Sequence, residues 1–70
     1  MNQNQTKIIK FLGTQKRPRL ISDISRETKL TWAITYSTIL ALTEAGYVDG
    51  SAKEGYTLTA ADLPPEARIL

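Results

Sequence analysis

Seventy residues suffice for one small domain with a single modest core. At 41% hydrophobic and 23% charged residues, the chain is too apolar to stay disordered. It has neither Cys nor His, which excludes disulfides, the usual zinc sites and the commonest general base, and its net charge is only +2.

Residues 4–15 read as a first helix, with Asn4 or Thr6 as its cap, because short polar side chains accept the free amide hydrogens of a first turn. Ile8, Phe11 and Leu12 recur at helical spacing and mark its buried face, with Ile9 at the edge. Gly13 begins the exit, and Pro18 disfavours helix at the residue before it. Leu20-Ile21 reads as a very short strand. Ser22 then caps a second helix running to about Thr28, and Asp23 in its first turn suits the helix dipole. Ile21, Ile24 and Leu30 are expected to face inward, and Ser25 is small enough for close helix packing.

Lys29 marks a tight turn, and Thr31 caps a third helix from about Trp32 to Ala45. Ile39, Leu42, Thr35 and, less squarely, Trp32 share its inner face; Thr31, Ala33, Ile34, Tyr36 and Ser37 lie away from it. Gly46 suits the left-handed conformation that ends helices. Tyr47-Val48 and Tyr56-Thr57-Leu58-Thr59 read as strands of a hairpin, joined by a loop with Gly50 and Gly55. Beyond Thr59, Pro64-Pro65 forbids a continuous helix, although a short helical turn can begin at Pro65. Leu63, Ile69 and Leu70 need cover from this chain or a partner. The reading is one α+β domain, mostly α, over residues 1–70, with its core at about 6–59 and a C-terminal extension at 60–70.

The charge is unevenly spread. Residues 1–30 hold seven cations (Lys7, Lys10, Lys16, Arg17, Arg19, Arg26 and Lys29) against Asp23 and Glu27, a net +5. Residues 31–70 hold Lys53 and Arg68 against five acids, a net −3. Such asymmetry suggests one surface for a polyanion. No apolar run reaches the roughly 20 residues that span a membrane, and the polar start lacks the order of a signal peptide. A cytoplasmic protein without membrane contact is the expectation. No carboxylate pair, phosphate loop or metal-ligand cluster stands out, so neither an enzyme nor a cofactor is expected.

The run "LISDISRETKLTWAITYSTILALTEAGYV" followed by "DGSAKEGYTLT" resembles the winged helix-turn-helix family, and looks like its single-domain prokaryotic, archaeal and viral transcriptional regulators. Ser22-Asp23-Ile24 with Ser25, Leu30-Thr31, and above all Leu42-Thr43-Glu44-Ala45-Gly46-Tyr47-Val48 carry the resemblance, which covers about residues 6–59. It implies three helices plus a β-hairpin wing, double-stranded DNA as partner, and a homodimer. The third helix would read the major groove through Thr31, Trp32, Ala33, Tyr36 and Ser37. Arg17, Arg19, Arg26, Lys29 and, at the wing tip, Lys53 would sit on phosphates.

Family members often carry Arg, Lys, Gln or Asn on the outward face of that helix. This chain has none there, so bidentate reading of guanine is excluded, and hydroxyl and thymine-methyl contacts remain. An uncharged, aromatic face also suits a protein partner, which is the alternative reading. Trp32 has two readings: a cover over the open end of the small core, which is favoured, or a ring against the groove wall. Tyr47 and Tyr56 read as strand residues packed on the helices, and Lys7 and Lys10 as the solvated face of the first helix.

Overall fold

The computed structural model describes residues 1–59; the expectations for Pro64-Pro65 and for Leu63, Ile69 and Leu70 lie outside them. Three helices come first, α1 (Gln3–Gly13), α2 (Ile21–Thr28) and α3 (Trp32–Glu44), followed by strands β1 (Val48–Ser51) and β2 (Gly55–Leu58). The strands pair antiparallel, with Val48 opposite Leu58 and Ser51 opposite Gly55. This is the expected α+β, mostly helical arrangement.

The first helix is capped two residues before Asn4 and four before Thr6. Asn2, not Asn4 or Thr6, is the N-cap. Its side-chain oxygen accepts from the Gln5 N–H at 2.8 Å, while Gln5 Oε1 accepts from the Asn2 N–H at 3.0 Å. This reciprocal pair satisfies two amides that a helix start otherwise leaves unbonded. Ile8, Ile9 and Leu12 are buried, so Ile9 belongs to the core rather than its edge, and Phe11 is only partly covered.

The second helix also starts early. Ile21 is its first residue and Leu20 its N-cap, without a side-chain hydrogen bond; Ser22 lies inside the helix and exposed. The expected strand at Leu20-Ile21 shrinks to one bridge at Arg19. The Arg19 N–H donates to the Tyr56 carbonyl at 3.0 Å, and the Tyr56 N–H to the Arg19 carbonyl at 2.7 Å. Tertiary pairing with β2 fixes Arg19 as extended backbone, so the helix begins directly after it. The bridge ties the segment before α2 to the hairpin.

Between α2 and α3 the chain turns on Lys29, in the left-handed region at φ 61°. The turn is held by Ser25, whose hydroxyl donates to the Leu30 carbonyl at 2.6 Å. Ser25 is therefore more than a small residue at a crossing. Its loss leaves a part-buried carbonyl without that partner, so Ser25→Ala is expected to cost about 1–2 kcal/mol. Urea denaturation checks this, and an unchanged midpoint would show that the bond does not hold the turn.

Thr31 caps α3 as expected, its oxygen accepting from the Ile34 N–H at 3.2 Å. Thr35, Thr38, Ile39 and Leu42 form its buried face. The fully buried Thr35 tolerates this position because its hydroxyl donates to the Thr31 carbonyl at 2.8 Å. The helix ends in a two-bond cap. The Gly46 N–H reaches the Thr43 carbonyl at 3.1 Å and the Tyr47 N–H reaches the Leu42 carbonyl at 2.9 Å, with Gly46 at φ 86°.

The core gathers Ile8, Ile9 and Leu12 from α1, Ile21 and Ile24 from α2, Ile39 and Leu42 from α3, and Val48 and Tyr56 from the hairpin. Each helix touches both others, α1 also packs on β2, and α3 on β1. Full burial of one such aliphatic side chain contributes roughly 1.5–3 kcal/mol. Tyr56 is in the core and Tyr47 packs against it, but Tyr47 lies just before the first strand. That strand begins at Val48 and takes in Asp49, Gly50 and Ser51 from the expected loop; the second begins at Gly55 and ends before Thr59.

Candidate nucleic-acid interface

The outer face of α3 is uncovered. Counting about 100° per residue, Ala33, Ser37 and Ala41 run down its middle. Trp32, Tyr36 and Leu40 form a ridge on one side, and Ile34 stands on the other. All of these residues are exposed. Trp32 is 55% accessible, so the structure overturns its reading as a cover for the core. Its ring instead stacks on Tyr36 one turn later, with centroids 5.2 Å apart and planes 7° from parallel. The spacing of four residues permits this pairing. Glu44, the last residue of the helix, is the only charged side chain on α3.

The cations expected on phosphates fall into two groups. Arg19 and Arg26 are engaged within the fold. The Arg19 side chain is 22% accessible; its Nη1 donates to Gln15 Oε1 at 3.1 Å, and its guanidinium lies 5.8 Å from the centre of the Phe11 ring. Its Nε is 3.8 Å from the Asp23 carboxylate, too long for a hydrogen bond, and has no hydrogen-bond partner among the described residues. Arg26 donates to Asp23 Oδ1 at 2.8 Å and lies 3.9 Å from Glu27. Two arginines facing two carboxylates make a locally neutral patch. Arg26 remains 67% accessible, and exposed pairs of this kind contribute little stability.

Lys16, Arg17, Lys29 and Lys53 are exposed and form no ion pair among the described residues. Lys29 sits at the turn immediately before α3. Lys16 and Arg17 precede Pro18, which lies against Gly55 at the start of β2. Lys53 lies in the loop joining β1 to β2. These four cations thus come from the helix–helix turn, the segment after α1 and the hairpin loop. Lys7 and Lys10 are exposed on α1, as expected for a solvated face.

Thr31, Ala33, Tyr36 and Ser37 are exposed as expected. Some of their polar atoms are already occupied: Ser37 donates to the Ile34 carbonyl at 3.1 Å, and Thr31 caps the helix. Leu40 and Ala41 belong to the same surface and were not anticipated from the sequence. Their positions three and four residues beyond Ser37 were the available signal.

Among the described residues no group of three or more Asp or Glu side chains can hold a metal ion, and no helix is long and apolar enough to cross a membrane. No protein-family model matches the chain, and no curated protein sequence or solved structure is significantly similar to it.

Proposed function

We propose that this chain is a winged helix-turn-helix protein that binds double-stranded DNA and regulates transcription in the cytoplasm as a homodimer. In this reading α3 lies in the major groove, the hairpin is the wing, and Lys16, Arg17, Lys29 and Lys53 neutralise phosphates. The observation that carries it is the helix–turn–helix itself. The Ser25–Leu30 bond fixes the turn, and the far side of α3 is left without any cover from the described residues. Cations outside the reading helix suffice, because phosphate contacts supply most affinity and need not lie on the element that reads bases.

The test is a titration with duplex DNA at several salt concentrations, followed by Trp32 fluorescence. Four phosphate contacts per protomer predict a slope of log affinity against log salt of about −3 to −4 for each protomer bound, and about twice that for a dimer. Binding that stays flat from low to moderate salt would remove the phosphate mechanism.

A second reading rests on the exposed Trp32, Ile34, Tyr36 and Leu40, which suit a protein-docking or dimerisation surface without direct DNA reading. Amide shifts at residues 26–37 on adding DNA support the first reading. Silence there, together with self-association that grows with concentration, supports the second.

A further inference from the structure

We propose that the exposed face of α3 selects its DNA by the C5-methyl groups of pyrimidines, so that thymine-rich major grooves bind best. This rests on the DNA-binding reading above and names what that surface recognises. The middle of the face is built from small side chains, Ala33, Ser37 and Ala41. By helical spacing they lie between the stacked Trp32–Tyr36 pair, extended by Leu40, and Ile34 on the other side. Small residues let the helix approach base edges closely, and the flanking apolar side chains give a methyl group surface to lie against.

The face is poor in polar partners. It carries no amide, ammonium or guanidinium group; Ser37 gives its hydroxyl proton to the Ile34 carbonyl and keeps only acceptor lone pairs, and the Thr31 oxygen accepts at the helix cap and keeps its proton. With the Tyr36 hydroxyl and the Trp32 indole N–H, these are the few polar groups the face has to offer. A G·C pair presents two acceptors and a donor in the major groove, all of which lose water when an apolar surface closes over them. An A·T pair presents the same number of polar groups there, adenine N7 and N6–H₂ and thymine O4, and adds the thymine C5-methyl group. The desolvation cost is therefore similar for both pairs, and the methyl group, which an apolar surface rewards, makes the difference. The charge that holds the polyanion comes from Lys16, Arg17, Lys29 and Lys53, outside this face, so affinity and base preference are carried by different residues. That complementarity points to DNA rather than to an apolar protein surface as the occupant.

The experiment uses the unaltered chain and three sets of duplexes. The first is A·T-rich. The second is the same with deoxyuridine replacing thymidine, which keeps every hydrogen-bonding edge and deletes only the methyl group. The third is G·C-rich, with cytosine or 5-methylcytosine. Each buried methyl is expected to be worth about fourfold in affinity. The uracil duplex should bind more weakly by that factor per contacted thymine, with an unchanged salt slope, and 5-methylcytosine should recover part of the loss seen with cytosine. Equal affinity for the thymine and uracil duplexes, with the expected salt slope, would overturn methyl selection while leaving DNA binding intact. Failure to bind any duplex, or self-association that Tyr36→Ser abolishes in the absence of a DNA signal, would overturn both.

Discussion

Gly50→Ala is expected to cost about 3 kcal/mol or more and to leave much of the chain unfolded at physiological temperature. Two effects combine. Gly50 has φ 138°, where side-chain-bearing residues are strained, and a Cβ there would overlap the Gly55 carbonyl oxygen while approaching the Tyr56 Cα to 2.9 Å. The obstacle is backbone of the partner strand, so no rotamer change relieves it; the hairpin itself must shift. Tyr56 is part of the core and also bonds Arg19, so displacement there propagates to the start of α2. Overpacking of this kind typically costs 1–3 kcal/mol, to which the backbone strain adds about 1–2. A domain this small has little stability to lose. Gly46 provides the control. It also has a positive φ, 86°, but its Cβ would meet nothing within 4 Å, so Gly46→Ala should cost only about 1 kcal/mol. Thermal melts of both variants measure the difference. Equal losses would mean that the close approach at Gly50 is not what excludes a side chain.

Replacing Lys16, Arg17, Lys29 and Lys53 together by glutamine should reduce duplex affinity by about two to three orders of magnitude near physiological salt. It should also flatten the salt slope by about 3 to 4 for each protomer bound. All four are exposed and unpaired among the described residues, so the fold should tolerate the change within the small range usual for surface substitutions. Arg19→Gln should behave oppositely. Its side chain is mostly covered and bonded to Gln15, so stability should fall while the salt slope of the remaining protein stays the same. If Arg19→Gln flattens the slope as much as one of the four does, Arg19 leaves its place in the fold to meet phosphate and belongs with the four. The comparison needs only a fluorescence titration and a denaturation curve on each protein.

Local signals account for what could be read in advance. The Thr31 cap, the inward Thr35, Ile39 and Leu42, the glycine stop at Gly46 and the hairpin all depend on residues within a turn or two of one another. The two early helix starts had different origins. Asn2 with Gln5 is a capping pair visible in the sequence, two residues before Asn4, the earlier of the expected caps. Leu20 as cap, with Ser22 inside the helix, had no such signal, because Arg19 is held extended by Tyr56, far along the chain. The same distant pairing, with Gln15 and Asp23, draws Arg19 into the fold, which its charge and position alone do not reveal. Trp32 is exposed although a large ring at the end of a small core is commonly buried. The ring has a cheaper contact in Tyr36, on its own helix.

Lys29 has a consequence beyond geometry. A side chain at φ 61° costs roughly 1 kcal/mol relative to glycine, which is the usual residue for such a turn. Here the strained position and an unpaired cation are the same residue. Glycine would make the more durable protein and a poorer ligand for phosphate. Variants chosen for heat resistance and variants chosen for grip on DNA should therefore diverge first at residue 29, the one place in the described chain where the two demands compete for a single side chain.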